Sequence, residues 1–250
     1  MSTEEQVARW IRDARYGVAL TGAGVSTESG IPDFRGPNGV WTKNPGAERL
    51  SNIHAYLADP ATRAEVWQMR ISHPAWTAAP NAGHLALVDL ERRGHLKALI
   101  TQNIDGLHAI AGSSAAALIE MHGTMREVTC LSCGDRGPAQ PTFARVLAGD
   151  PDPACLQCGG ILKSATISFG QSLLAGDLHR AEVAASSCDL MIAIGSSLLV
   201  YPVAVLPQVA LECGARLVII NAEPTPYDER AAVVLREPIG EVLPRIAAQV

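Results

Sequence analysis

Short apolar runs alternate along this chain with amphipathic stretches, and their order predicts the architecture. Gly17-Val18-Ala19-Leu20, Leu96 to Thr101, Leu190 to Ile194 and Leu217 to Ile220 are largely apolar, and each closes on a polar or glycine-containing loop. Such runs read as strands. Helical periodicity marks about Glu4 to Arg15, Asn81 to Arg93 and Val200 to Cys213. Strands alternating with helices predict an α/β fold: a doubly wound, Rossmann-like parallel sheet with helices on both faces. Two stretches break the alternation. Pro37 to Ala79 holds Trp and Pro but no clear strand, and Arg126 to Lys163 holds four paired cysteines. The expected division is therefore a main domain from residues 1–36, 80–125 and 164–250. Residues 37–79 and 126–163 pack together as a smaller inserted domain, part helical segment and part cysteine ribbon.

Composition narrows the function classes. With 250 residues, 48% of them hydrophobic and 18% charged, the chain can bury a substantial core and lies outside the disordered range. The net charge of -5 and the lack of any Lys or Arg run argue against direct nucleic-acid binding. No apolar run reaches the roughly 18 residues of a membrane span, and the N-terminus is acidic and amphipathic, so a cytoplasmic protein without a membrane partner is expected. The oligomeric state is not legible. Of six cysteines, Cys188 and Cys213 stand alone in apolar surroundings and read as small core residues.

Four segments carry candidate chemistry. Gly22-Ala23-Gly24 follows the first strand, where backbone amides and a helix N-terminus can hold a pyrophosphate, although a purely structural turn fits the same residues. Thr27 occupies the third position of a G-x-G-x-x-G, which disfavours a hydride-transferring dehydrogenase. Gln102-Asn103-Ile104-Asp105 sits at the carboxyl end of a strand, where ligands bind in open α/β sheets, and loop capping by Asn and Asp is the competing reading. His122 ends a strand-like run before Gly123, and histidine can take a proton from a hydroxyl near neutral pH. His54, His73, His84, His95, His108 and His179 lack comparable context and read as surface, capping or packing residues. Cys130-x-x-Cys133 and Cys155-x-x-Cys158 are the strongest local signal: four thiolates favour tetrahedral, closed-shell structural zinc, with a redox pair as the lesser reading.

The string from Gly22 to Gly36, with Ile31-Pro32-Asp33-Phe34-Arg35, resembles the first signature of the sirtuins. Gln102 to Asp105, His122-Gly123 and the paired cysteines follow in that family's order. The resemblance runs from Gly22 to about Ile239. It implies an NAD-dependent protein-lysine deacetylase or deacylase, in which the main domain binds NAD. The NAD site would comprise Gly22, Ala23, Gly24, Ser26, Glu28, Asp33, Phe34 and Arg35; then Gln102, Asn103, Ile104 and Asp105. Gly195, Ser196, Ser197, Asn221, Ala222, Glu223 and Ile239 would hold the adenosine half. His122 would be the base, Asn103 and Asp105 its catalytic neighbours. Phe169, Gly170, Leu199, Val200 and Tyr201 would pair with an acyl-lysine peptide, and the four cysteines would hold one structural Zn2+. NAD would be consumed: the acyl oxygen attacks the ribose as nicotinamide leaves, giving free lysine and O-acyl-ADP-ribose. A protein mono-ADP-ribosyltransferase using the same site is the alternative.

The chain departs from the commonest family pattern on the substrate side. Lys163-Ser164 stands where many relatives have Arg-Pro, and Gln171 follows Phe169-Gly170 where they have Glu. Trp67-x-x-Arg70 aligns with the Tyr-x-x-Arg of relatives that favour succinyl groups, and lacks the tyrosine hydroxyl. Neutral acyl groups are thus expected over acidic ones, while Trp67 and Arg70 also read as a core aromatic and a solvated helix face.

Overall fold

A computed structural model describes residues 1–34, 36, 39–43 and 49–250. The first half runs α1 (Thr3–Asp13), β1 (Gly17–Thr21), a 3-10 helix (Ala23–Ser29), α2 (Val40–Lys43), α3 (Ile53–Ala58), α4 (Pro60–Ile71), α5 (Ala82–Arg92) and β2 (Leu96–Thr101). Then come α6 (Leu107–Ala111), β3 (Leu118–Glu120), β4 (Gly123–Cys130), β5 (Arg136–Pro138), α7 (Ala139–Leu147) and β6 (Leu162–Thr166). The chain closes with α8 (Ala175–Ser187), β7 (Leu190–Ile194), α9 (Leu206–Glu212), β8 (Arg216–Ile220), β9 (Val233–Leu235) and α10 (Ile239–Ala247).

Six strands form a parallel sheet in the order β3-β2-β1-β7-β8-β9. The chain winds outward from β1, returns to its other side at β7, and winds outward again. Both faces are covered, which is why these strands are apolar throughout. Ala19, Ile192 and Val218 face the layer built by Val7, Leu87 and Leu243 of α1, α5 and α10. Val18, Leu20, Met191 and Leu217 face Ala181, Ala185 and Leu206 of α8 and α9.

A second, antiparallel sheet, β5-β4-β6, carries the paired cysteines. It shares a separate core with the helical insertion, where Trp67 of α4 meets Phe143, Val128 and Leu162. Trp67 is 0% exposed and stands edge-on to Phe143 at 6.2 Å. Arg63 of α4 adds an ion pair to Asp152 at 2.7 Å. Among the described residues no helix is long and apolar enough to cross a membrane.

Three expectations change. The helix predicted over Val200 to Cys213 is shorter, because Pro202 and Pro207 admit only a 3-10 turn (Val203–Val205) before α9. The helix expected after Gly22 is a short 3-10 helix: Thr27 folds its hydroxyl back on the Gly24 carbonyl at 2.9 Å, and left-handed Gly30 ends it. Cys213 is exposed at the end of α9 and is no core residue, whereas Cys188 is buried.

Candidate functional site

The order of the parallel sheet reverses between β1 and β7, and a cavity of about 1140 Å³ opens there beyond the carboxyl ends of the strands. Gly22, Ala23, Gly24 and Ser26 line it after β1, with Asp33 and Phe34 further along the same loop. Gln102, Asn103, Ile104 and Asp105 line it after β2; Gly195, Ser196 and Ser197 after β7; Asn221 and Glu223 after β8. The glycines are required by contact between loops. The Gly24 N–H donates to the Gly195 carbonyl at 2.8 Å, and Gly195 sits at φ +60° with room for no side chain. Ser196 Oγ accepts from Gln102 Nε2 (2.8 Å) and from the Leu198 N–H (3.2 Å), so its own proton is left to donate.

A closed polar network lies behind the Gln102 to Asp105 loop. Asp105 accepts from Ser26 Oγ at 2.8 Å and from the Leu107 N–H at 2.8 Å, while Asn103 Nδ2 donates to Ser26 Oγ at 3.1 Å. Arg126 of β4 pins the same loop from outside. It donates to the Asp105 carbonyl at 2.9 Å and the Ala75 carbonyl at 2.7 Å, with its guanidinium 4.8 Å over Trp76. Ile31 packs with Ala75, Leu107 and Met125 to give the cavity an apolar wall, and Phe34, 41% exposed, stands at its mouth.

His122 lines the cavity between these groups. Its Nδ1 lies 2.9 Å from the Gln102 carbonyl, which can only accept, so Nδ1 carries the proton and Nε2 keeps its lone pair. Burial lowers the pKa of His122 from its ordinary value, with the Gln102 hydrogen bond partly opposing it. The ring is therefore neutral near pH 7 and able to accept a proton at Nε2. Ile167 donates its N–H to the His122 carbonyl at 2.8 Å and holds the backbone from the other side.

Phe169, Gly170, Leu199, Val200 and Tyr201 lie along the cavity rim, Leu199 and Tyr201 well exposed. The departures noted in the sequence divide between the cavity and the layer behind it. Lys163 is 4% exposed and turns its Nζ onto the Thr166 and Ser164 carbonyls, and Trp67 is core, so neither these two nor Ser164 line the cavity. Gln171 does. Arg70 is not on a solvated face: it lines the cavity, and burial lowers its pKa to about 10. Of the remaining expected residues, Glu28 accepts from the Gly240 N–H at 2.8 Å with its carboxylate and is not among the residues that line the cavity. Ile239 packs inward as the first residue of α10, and Ala222 faces outward between Asn221 and Glu223; neither lines the cavity. Arg35 lies outside the described residues.

Sequence reasoning missed His73, Arg126, and the His84–His108 pair behind Asp105. The His73 ring accepts from the Ala75 N–H at 3.2 Å and lines the cavity; burial, then Arg70, lowers its pKa to about 4.

The Sγ atoms of Cys130, Cys133, Cys155 and Cys158 all lie within 4.8 Å of one another. The 3.5 Å between Cys130 and Cys158 and the 3.8 Å between Cys133 and Cys155 are too long for disulfides. They match the roughly 3.8 Å edge of a tetrahedron with Zn–S near 2.3 Å.

A Sir2 family model matches residues 22–202. The chain is 52% identical over 227 residues to NAD-dependent protein deacetylase 2 of Streptomyces coelicolor, covering 91% of this chain and 94% of that protein. It is 43% identical over 241 residues to an NAD-dependent protein deacetylase of Rhodopseudomonas palustris, covering 96% and 94%. Among solved structures, a Sir2 complex with a p53 peptide and NAD+ matches with a TM-score of 0.88 at 34% identity, covering 99% of this chain and 98% of that one. Sir2Tm bound to a propionylated peptide matches at 0.87 and 32%, with the same coverage.

Proposed function

This chain belongs to the Sir2 family, and we propose that it is an NAD-dependent protein-lysine deacylase whose proton acceptor is His122. One observation carries the assignment of the base: a neutral histidine on the cavity wall, its Nδ1–H held by the Gln102 carbonyl and its Nε2 lone pair free of that bond. The reaction consumes NAD as a substrate, releasing nicotinamide and leaving the acyl group on ADP-ribose.

Each part of the cavity has a task. The Gly22–Gly24 and Gly195–Ser197 loops offer backbone and the Ser196 hydroxyl to the phosphates, and Asn221 and Glu223 border the adenosine end. Asn103 and Asp105 orient the nicotinamide end without reacting, because Ser26 and the Leu107 N–H fix them in place. Ile31 and Phe34 keep water from the ribose carbon once nicotinamide departs. His122 takes the proton of a ribose hydroxyl through Nε2. Phe169, Gly170 and the Leu199 to Tyr201 segment offer extended backbone on either side of a peptide.

On this reading residues 1–36, 80–125 and 164–250 form the NAD-binding domain, and 37–79 with 126–163 the small domain; β4 and β6 cross its two seams. The four cysteines fit one structural zinc, which takes no part in the chemistry because its shell is full. Six cysteines with no disulfide among them fit a reducing compartment, the cytoplasm.

The test is to incubate the protein with NAD and an acetyl-lysine peptide and to follow nicotinamide, ADP-ribose species and peptide mass together. Deacylation with equal nicotinamide release is expected. Nicotinamide release independent of peptide, or ADP-ribose mass retained on a protein, overturns the assignment.

A further inference from the structure

The parallel sheet ends at β9, which pairs with β8 on one side and, among the described residues, with no strand on the other. The loop that joins β8 to β9 thus lies at the margin of the sheet, yet its first residues, Asn221, Glu223 and Pro224, line the cavity. Something other than a neighbouring strand must hold it. The pairing of β8 with β9 runs to Ile220 opposite Leu235, and the Asn221 N–H then donates to the Leu235 carbonyl at 3.1 Å. Register therefore sets Arg236 beside Asn221.

Arg236 uses that placement fully. Its Nη1 donates to the Asn221 carbonyl at 2.7 Å and to the Glu223 carbonyl at 2.8 Å, while Nη2 pairs with the Asp228 carboxylate. Asp228 is held in turn, because its other oxygen accepts from Thr225 Oγ1 at 2.7 Å and that hydroxyl accepts from the Tyr227 N–H at 3.2 Å. Asn221 Nδ2 adds a bond to the Glu223 carbonyl at 2.7 Å. One guanidinium thus closes residues 221–228 into a ring. An ion pair at a surface contributes little by itself, and the Arg236 side chain is 40% exposed. The weight falls on the two carbonyls: drawn to one donor from positions two apart, they fix the curve of the turn and with it the way Asn221 and Glu223 meet the cavity. The planar fork of arginine spans these acceptors, where lysine would offer a point charge. Arg236 itself does not line the cavity.

We propose that Arg236 is a positioning residue for NAD: by bridging the Asn221 and Glu223 carbonyls to Asp228, it holds the loop that borders the adenosine end of the cofactor. This rests on the reading that Asn221 and Glu223 border that end. Adenosine is unchanged by the reaction, so contacts made to it are equally strong in the ground state and the transition state. Their loss raises KM for NAD and leaves kcat alone.

Arg236→Ala and Asp228→Asn are compared with the wild type by calorimetric titration with ADP-ribose, by kinetics with NAD and an acetyl-lysine peptide varied in turn, and by thermal melting. Arg236→Ala is expected to weaken ADP-ribose binding and to raise KM for NAD by the same factor of about 10, the scale of one hydrogen bond to a charged group. Its kcat and its KM for peptide should stay within about 2-fold of wild type, whatever the change in melting temperature. Asp228→Asn keeps the shape and removes only the ionic half, so it should fall between the two. A general loosening of the fold lowers kcat and raises both KM values together. That pattern, or ADP-ribose binding unchanged in Arg236→Ala, overturns the proposal. If Arg236→Ala fails to fold, Asp228→Asn decides, and ADP-ribose binding equal to wild type then overturns it. A wild type that binds no ADP-ribose sinks the reading of the cavity as an NAD site; a wild type and variants that bind it equally well sink the role of Arg236 alone.

Discussion

Gly195→Ala tests whether the two phosphate-side loops must interlock. Gly195 has φ +60°, and a methyl group built there lies 2.4 Å from the Val25 nitrogen and 2.7 Å from the Gly24 carbonyl carbon. Backbone on both sides leaves no flexible side chain to yield. Reaching the 3.4 Å at which ordinary contact begins takes a displacement of about 1 Å, in the loops that line the cavity. Gly214→Ala is the control, because Gly214 has φ +89° with nothing within 4 Å of the added carbon. It isolates the cost of a left-handed alanine, about 1 kcal/mol, which in a chain of this length lowers Tm by about 2–4 °C. Gly195→Ala pays that cost and the loop displacement, and the second term falls on function: a 1 Å misplacement costs about 100-fold in kcat/KM. The assays are thermal melting and NAD-dependent kinetics on both variants. A Gly195→Ala protein with wild-type NAD kinetics refutes the claim that this glycine contact sets the cavity's geometry.

His122→Ala should abolish deacylation while leaving NAD binding largely intact, measured by peptide mass and by calorimetric titration; retained deacylation refutes the assignment of the base. Because burial lowers the His122 pKa, the base stays neutral as pH falls to 6.5. The acid limb of kcat/KM, which reports the free protein, should therefore lie below 6.5, and a limb above it contradicts the site as described. His108 makes the fold acid-labile. Its pKa is pushed down to about 3, by burial first and by His84 second. Between about 6.5 and 3 the unfolded chain binds a proton that the folded chain refuses, so stability falls with pH by about 1.4 kcal/mol per unit. Urea titrations should show a shallower loss for His108→Gln, and parallel curves refute it. Removing zinc with a chelator, or through Cys155→Ser, should unfold the β4–β6 region ahead of the parallel sheet. Metal content near one per chain and an early melting transition check this; a single unshifted transition counts against it.

The parallel sheet was legible because β1, β2, β7 and β8 are buried on both faces and so are written as near-unbroken apolar runs. The cysteine cluster was legible because its signal is local, two Cys-x-x-Cys pairs, whereas His122 stood out from the other histidines only through the family resemblance. The contact of His84 with Ser26 was not legible: the two are far apart in sequence, and nothing near either residue announces the other. Trp67 and Lys163 looked like specificity residues because they align with substrate-side positions, yet both are buried, and only burial distinguishes a cavity wall from the layer behind it. Glu28 sits inside a strong motif, and its carboxylate accepts from the Gly240 N–H in the first turn of α10, a contact no local pattern announces.

The zinc-bearing sheet does more than close a small core. β4 begins at Gly123, immediately after His122, and β6 ends at Thr166, immediately before Ile167, whose amide grips the His122 carbonyl. The histidine thus sits at the pivot of an antiparallel arm whose far end is Cys130. At about 3.3 Å per residue the arm is about 23 Å long, so a 1 Å sway at the thiolates rotates its root by about 2.5°. The break in register between Gly123 and Val128 lies midway along it. The four cysteines and His122 thus stand at opposite ends of one β-strand arm, so what steadies the far end steadies the backbone on either side of His122.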